Sequence, residues 1–511
     1  MLKDEQVQPT EMSKFYITTS LVYTNALPHV GFAMELIQAD VLARYHRLAG
    51  NDVWFLTGTD EHGMTVARAA DKHGKQPEVF VDEMAERVKE LTKVLSISND
   101  DFIRTTDRKR HWPSVIKFWN ELVEAGDLYK NKYKGLYCVG HESFIKKSEL
   151  VNGRCPLHKT LPEEVEEENW FFKLTKYKKE IKKKIENGEF KIVPESRIKE
   201  VLNLIDDAED ISFSRPVNSL KWGIPVPNDP EQTVYVWADA LTNYISALGY
   251  GQEPGQLVAN GYSLMAKYWP ANIHLIGKDI LRFHAIYWPA MLLSAGLPLP
   301  ETIYVHGFIT VEGEKMSKTV GNVIDPFALV VKYGVEPVRY FLLREIPSTE
   351  DGDFSYKKLE ERYNGDLANG LGNLVQRVAT LVSDKMDGEL IYRSTTHNPQ
   401  PTTHNNYEKA IGEFRLHDAL GEIWKTIADT NKYIDERKPW LEAKESPERF
   451  LETMAALVGA IHDVAWLLQP FLPETSQKIA QIFGDDLSNK EIPDEHHFHI
   501  KKSDPLFPRI S

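Results

Sequence analysis

Two short clusters combine imidazole or ammonium groups with small residues, a combination suited to handling phosphate. In Pro28-His29-Val30-Gly31, glycine lets the backbone approach a phosphate closely and a helix opening there favours anions. His29 can donate a hydrogen bond to charge growing on a phosphate oxygen. In Lys315-Met316-Ser317-Lys318-Thr319, two lysines flank a small hydroxyl residue after a strand and a Gly-containing turn (EGEKMSKT). Such a loop can close over a triphosphate and hold its β- and γ-charges. Neither cluster is specific alone: a Pro-His-x-Gly turn is most often only a turn, and KxSK strings are common. A third cluster has metal-ligand spacing. Cys138-x-x-His141 and Cys155-x-x-His158, with thirteen residues between them, read as a tetrahedral zinc knuckle, or as a degenerate knuckle held by its own packing.

These clusters need elements to position them. Phe15–Thr19 (FYITT) and Val53–Thr57 (VWFLT) read as short buried strands. Between them Met34, Ile37, Val41, Tyr45 and Leu48 recur at helical spacing, so the first cluster falls at the strand-to-helix turn of a parallel βαβ unit. A second such region begins near Tyr235. Ile273–Gly277 (IHLIG) and Ile303–Phe308 (IYVHGF) read as its strands, with a helix carrying Trp288, Met291 and Leu292 between them. The stretch from about Asn131 to Pro227 holds both cysteines and several charge runs but no βαβ rhythm, and reads as an insertion in a split nucleotide-binding fold. From about Glu360 the pattern is that of a helix bundle. Leu416, Leu420, Ile423 and Ile427 share one helix face, as do Met454, Leu457, Ile461, Val464 and Leu468 ahead of Pro470. Arg393–Asn406 (RSTTHNPQPTTHNN) reads as a polar loop.

The bulk properties agree with a chain of several domains. The 511 residues suggest about three to four domains, and a 42% hydrophobic fraction can fill several cores. No uncharged apolar stretch of about 18 residues occurs, so no membrane span is expected. Met1–Ser13 is polar and acidic, unlike a signal peptide, and only two cysteines are present, which fits a reducing, cytosolic compartment. A net charge of −14 argues against a nucleic-acid partner at first sight, but a local basic stripe suffices for binding. Lys173–Lys184 (KLTKYKKEIKKK) is one candidate stripe; the plainer reading is a solvated helix face.

Taken together and in this order, the first two clusters resemble the HIGH and KMSKS signatures of the class I aminoacyl-tRNA synthetases. The resemblance covers the chain from about Phe15 to the helix bundle. It implies an α/β fold: a split Rossmann-type parallel sheet with an inserted connective domain, followed by a helical anticodon-binding bundle. The implied boundaries are 1–130 and 228–315 for the two Rossmann halves, 131–227 for the insertion, 316–365 for the signature loop and stem-contact region, and 366–511 for the bundle. His29, Lys315 and Lys318 then stabilise charge on ATP, with Gly31 and Ser317 beside them and Mg²⁺ on the phosphates. Phe32 departs from the signature, where a second histidine is usual.

Three segments are similar to the methionyl-tRNA synthetases in particular. In Phe55–Gly63 (FLTGTDEHG), Asp60 would accept a hydrogen bond from the substrate ammonium; a helix-capping Asp is the plainer alternative. In Val236–Tyr244 (VWADALTNY), Trp237, Ala240, Leu241 and Tyr244 would line a thioether pocket, where aromatic edges suit a polarizable sulfur. In Gly277–His284 (GKDILRFH), His284 would complete that pocket while Gly277, Lys278 and Asp279 lie near the adenosine ribose. Leu21 and Tyr23 match further pocket positions. In this family the insertion often carries zinc on three cysteines and a histidine, and His141 stands where a cysteine is usual. Asn373 and Arg377, four apart on one helix face, and Trp440 match anticodon-reading positions, with stacking and polar contacts as the means. Away from the family, Trp440 reads as bundle core and Arg377 as a surface ion-pair partner.

The implied reaction is ATP-dependent activation of methionine, then transfer to the terminal adenosine of tRNA(Met). No general base is evident. A monomer is expected, since no dimerisation domain is visible after the bundle. Synthetases for leucine, isoleucine or valine carry a much larger editing insertion, and a cysteinyl enzyme needs a cysteine near Asp60 or Trp237. A tRNA-binding protein without catalysis, or a nucleotidyltransferase without tRNA, are the remaining alternatives.

Overall fold

A computed structural model describes residues 12–140, 142–156, 159–252, 258–259, 262–316, 321–393 and 401–510. Two compact units divide the chain. The first comprises residues 1–28, 46–93 and 97–306; the second comprises 29–45, 94–96 and 307–511.

The first unit is built on a seven-stranded sheet. Its strands are β1 (Lys14–Thr18), β2 (Val22–Tyr23), β3 (Asp52–Asp60), β4 (Asp101–Arg104), β5 (Lys191–Val193), β6 (Ile273–Gly277) and β7 (Thr302–His306). Every pairing is parallel: β4 with β3, β3 with β1, β1 with β6, β6 with β7, and β7 with β5. β2 continues the line of β1 along β3, with Val22 opposite Thr59 and Tyr23 opposite Asp60. The apolar runs read from sequence are the sheet's centre; Ile17, Phe55, Leu56, Leu275 and Ile276 are fully shielded, as strands covered on both faces require. β5 lies within the stretch expected to be insertion, so that stretch is not wholly apart from the parallel sheet. The remainder includes a four-stranded antiparallel sheet, in which Leu128–Cys138 pairs with Glu163–Phe172 from Leu128↔Phe172 to Tyr137↔Glu163.

The basic run at Lys173–Lys184 takes its plainer reading. Ile181 and Ile185 bury one helical face, while Lys176, Lys182 and Lys184 pair with Asp127, Asp206 and Glu189.

The second unit contains most of the helix α1 (Val30–Leu48) and the bundle. Proline, with its fixed φ and missing N–H, opens several helices: Pro326–Tyr333, Pro439–Glu445, Pro447–Leu468 and Pro473–Phe483. The faces read from sequence are buried in Leu416–Arg437 and Pro447–Leu468. The latter helix is long and apolar enough to cross a membrane, but 67% of its most apolar window is buried inside the protein, as in a bundle core. The polar loop expected over Arg393–Asn406 is corrected: Arg393 ends a strand, and a helix runs from Pro401 to Gly412. Residues 394–400 lie outside the described residues. The proline at the first turn starts a helix that composition alone masked.

Candidate active site

In an open parallel sheet, ligands bind at the carboxyl ends of strands where strand order reverses. Here β1 lies between β3 and β6. Leu21 and Tyr23 follow β1, Asp60 ends β3, and Gly277 ends β6, so four residues expected at the site leave three adjacent strands at the same end. Lys278 and Asp279 form the turn after Gly277, whose missing side chain matters: a Cβ there would sit 2.8 Å from the Asp279 carboxylate. Gly58 likewise permits a close crossing, since a Cβ would meet the Ile103 carbonyl at 2.1 Å and Leu21 at 2.9 Å.

Asp60 is 7% exposed, and among the described residues its Oδ1 has no hydrogen-bond partner. A buried carboxylate oxygen without a donor is costly, so its place in a folded chain points to a donor brought by a ligand. Burial pushes the Asp60 carboxyl well above the usual carboxylate range, and the nearby charges of Asp239, Glu142 and Glu61 add to the rise. An ammonium group bound there would reverse both effects.

The aromatic residues come together on helix α3 (Val236–Ser246) and on the turn after β6. Tyr244 and His284 are joined, Oη to Nε2, at 2.8 Å, and Nδ1 of His284 meets the Ile280 carbonyl at 3.0 Å. The edge of His284 faces Trp237 with centroids 6.2 Å apart, and Trp237 stacks on Phe283 at 3.7 Å. Phe283 and His284 open a wide, π-helical turn, Phe283–Tyr287. Tyr16 of β1 anchors α3 by donating to the Tyr244 carbonyl at 2.7 Å. Ala240 and Leu241 are buried on the same helix, 6% and 1% exposed.

Sequence reading missed what ties α3 to β3. Asp239 lies between two imidazoles, 2.7 Å from Nδ1 of His62 and 2.6 Å from Nε2 of His111. Burial works against its charge, yet His62 and His111 hold its carboxyl below the usual range. Nδ1 of His111 continues to Ser246 at 2.9 Å. Asp239 and His62 both lie in segments already singled out, but no spacing rule links positions so far apart in the chain.

In the second unit, His29 is exposed, and the Gly31 N–H donates to its Nδ1 at 3.0 Å. A Cβ on Gly31 would press on that ring at 2.8 Å. The Val30 N–H donates to the Ile324 carbonyl at 3.1 Å, fixing the start of α1. Phe32, the signature departure, is a buried residue of α1, 6% exposed. Lys315 ends a short strand paired with Ile309–Val311. Ser317 and Lys318 lie outside the described residues.

Cys138 and Cys155 are fully shielded in one small cluster with Ile145, against Leu136 and Leu150. His141 and His158 lie outside the described residues, and among those described no group of three or more His, Cys, Asp or Glu is placed to hold a metal. Two thiols brought together fit half of a tetrahedral zinc set. At the bundle end, Asn373 is exposed on the helix Asn373–Lys385. The Arg377 guanidinium lies 6.0 Å from the centre of the Trp440 ring and also pairs with Asp435 at 2.7 Å. Trp440 is 39% exposed, so it is no core residue.

A parallel nucleotide-type sheet followed in the chain by a helix bundle is the architecture of a class I aminoacyl-tRNA synthetase, and the comparisons agree. The family model "tRNA synthetases class I (M)" matches residues 15–161 and 146–379, and "Anticodon-binding domain of tRNA ligase" matches 402–505. The chain is 42% identical to the methionine--tRNA ligase of Thermotoga maritima, covering 97% of this chain and 80% of that one. It is 40% identical to that of Brucella suis biovar 1, covering 97% and 98%. The structure of Mycobacterium tuberculosis methionyl-tRNA synthetase in complex with methionyl-adenylate superposes with a TM-score of 0.90 at 38% identity, covering 98% of this chain and 100% of that one. The chain belongs to the methionine--tRNA ligase family.

Proposed function

We propose that the chain activates methionine with ATP to methionyl-adenylate and pyrophosphate, then transfers the methionyl group to the 3′-terminal adenosine of tRNA(Met). The observation that carries this reading is the buried Oδ1 of Asp60, at the carboxyl end of β3, which has no hydrogen-bond partner among the described residues. It supports a site for the amino-acid ammonium. The Trp237, Tyr244 and His284 group supports an adjoining place for an unbranched, polarizable side chain. With the ammonium held, the methionine carboxylate can be aimed at the α-phosphate, and the gain is mainly positional. His29, Gly31, Lys315, Ser317 and Lys318 are read as phosphate ligands, with Mg²⁺ sharing the charge, and Gly277, Lys278 and Asp279 as ribose neighbours. Asn373, Arg377 and Trp440 are read as the anticodon contacts; an exposed ring beside a guanidinium suits stacking and base-edge bonding.

Zinc belongs to this reading as a structural ion. Cys138, His141, Cys155 and His158 would hold it, and it would tie the insertion's turns together. We also take the protein to act in the cytoplasm and as a monomer, which sedimentation in solution tests.

The deciding experiment is pyrophosphate exchange into ATP with each of the twenty amino acids, without tRNA. Exchange with methionine alone is expected. Silence with all twenty, in a folded protein, would move the reading to a tRNA-binding protein without activation.

A further inference from the structure

Glu142 was singled out by no motif, yet it is closely held. It follows the strand ending at Cys138, has φ +49° and is 3% exposed. A carboxylate so placed needs donors. Its Oε1 accepts the Tyr23 hydroxyl at 2.7 Å and the Thr65 backbone N–H at 2.5 Å. Thr65 lies in the first turn of helix α2 (Met64–Lys72), whose N-cap residue, Gly63, has no side chain to satisfy the free N–H groups. The Glu142 carboxylate therefore caps α2 from outside the helix and grips the phenol with the same atom. Arg215, fully surrounded, donates to the Glu142 carbonyl at 3.1 Å and fixes that turn.

Gly63 gives an independent sign that this pairing is built into the site. A Cβ at Gly63 would lie 2.4 Å from the Tyr23 hydroxyl and 2.4 Å from Oε2 of Glu142, on a backbone at φ +105°. Only glycine leaves room for the pair. Tyr23 in turn is the register partner of Asp60 across β2 and β3. The negative charge of Glu142 also contributes to the raised pKa of Asp60, so the two carboxylates share one electrostatic environment.

We propose that Glu142 is a positioning residue for methionine: through its bond to the Tyr23 hydroxyl, the insertion fixes the ring beside Asp60 that closes the amino-acid pocket. This rests on the reading of Tyr23 as a pocket residue.

The test is methionine-dependent pyrophosphate exchange on the full chain, with KM for methionine and for ATP measured separately. Tyr23→Phe and Glu142→Ala are each expected to raise the methionine KM about five- to tenfold, as for one lost hydrogen bond of ordinary strength, with the ATP KM within about twofold. Glu142→Gln keeps an acceptor oxygen and is expected to stay within about twofold of the parent. In the Tyr23→Phe background, Glu142→Ala should add less than about twofold, because both remove one interaction. Full multiplication of the two effects, or equal rises in both KM values, would make Glu142 merely structural and overturn the proposal. Tyr23→Ala separates the two readings. If it raises the methionine KM while Tyr23→Phe and Glu142→Ala do not, the pocket reading stands and the role of Glu142 falls. If Tyr23→Ala leaves the methionine KM unchanged, the pocket reading itself fails. Should Glu142→Ala not fold, Tyr23→Phe decides alone, since it deletes only the hydroxyl.

Discussion

Arg339 and Asp40 meet at 2.7 Å with neither side chain exposed to solvent. The guanidinium also donates to the carbonyls of Leu95, Pro470 and Phe471, and Asp40 receives Arg44 at 2.8 Å. Within the second unit, this one cation joins α1, the helix Val335–Arg344 and the turn after Pro447–Leu468. Removing one partner strands a buried charge. Arg339→Met is therefore expected to destabilise the protein by about 3 kcal/mol, and adding Asp40→Leu should recover part of that loss. Denaturant unfolding of the single and double variants checks this; a double variant no more stable than Arg339→Met alone would refute it.

Asp60 is held against its own electrostatics, so function and stability should part company there. Its folded pKa lies above that of the unfolded chain. The folded state then binds more protons in that window, and stability falls as pH rises from the ordinary carboxylate range through the raised pKa. Asp60→Asn removes the penalty. At pH 7 it is expected to gain stability while losing methionine activation, and the gain should vanish as pH falls into the ordinary carboxylate range. Thermal unfolding against pH, beside pyrophosphate exchange, reads both; retained activation would sink the ammonium assignment.

Trp440 is exposed beside Arg377, far in the chain from the activating residues. Trp440→Ala is expected to leave pyrophosphate exchange within about twofold, yet weaken tRNA charging about 5- to 150-fold, as losing a base stack of roughly 1–3 kcal/mol implies. Equal loss in both assays would point to misfolding of the bundle instead.

For the Cys138 and Cys155 cluster, elemental analysis of the purified chain should find about one zinc atom per molecule, and a chelator should lower the unfolding temperature. A metal-free chain that unfolds at the same temperature with chelator would assign the knuckle to packing alone.

The sheet's centre was legible because β1, β3 and β6 are short apolar runs covered on both faces, a pattern that depends only on local composition. β5 was not: Lys191–Val193 is three residues among charges, and only its pairing with β7 makes it a strand. Of the candidate site, Asp60, Trp237, Tyr244 and His284 could be named from sequence because they sit in compact motifs. His62, His111 and Glu142 gain their meaning from partners brought close by the fold, which no local spacing encodes.

The wide turn at Phe283–Tyr287 sets how this segment can drift over generations. Adjacent residues there serve different partners, Phe283 the face of Trp237 and His284 the hydroxyl of Tyr244. Losing one residue would return the turn to ordinary helical pitch and leave the helix beyond it nearly in phase, but with one position fewer inside the turn. One of the two partners would then be abandoned. Exchange of one side chain for another leaves that number of positions intact. The number of residues between the end of β6 and Trp288 should therefore be held more strictly among relatives than many of the residue types within it.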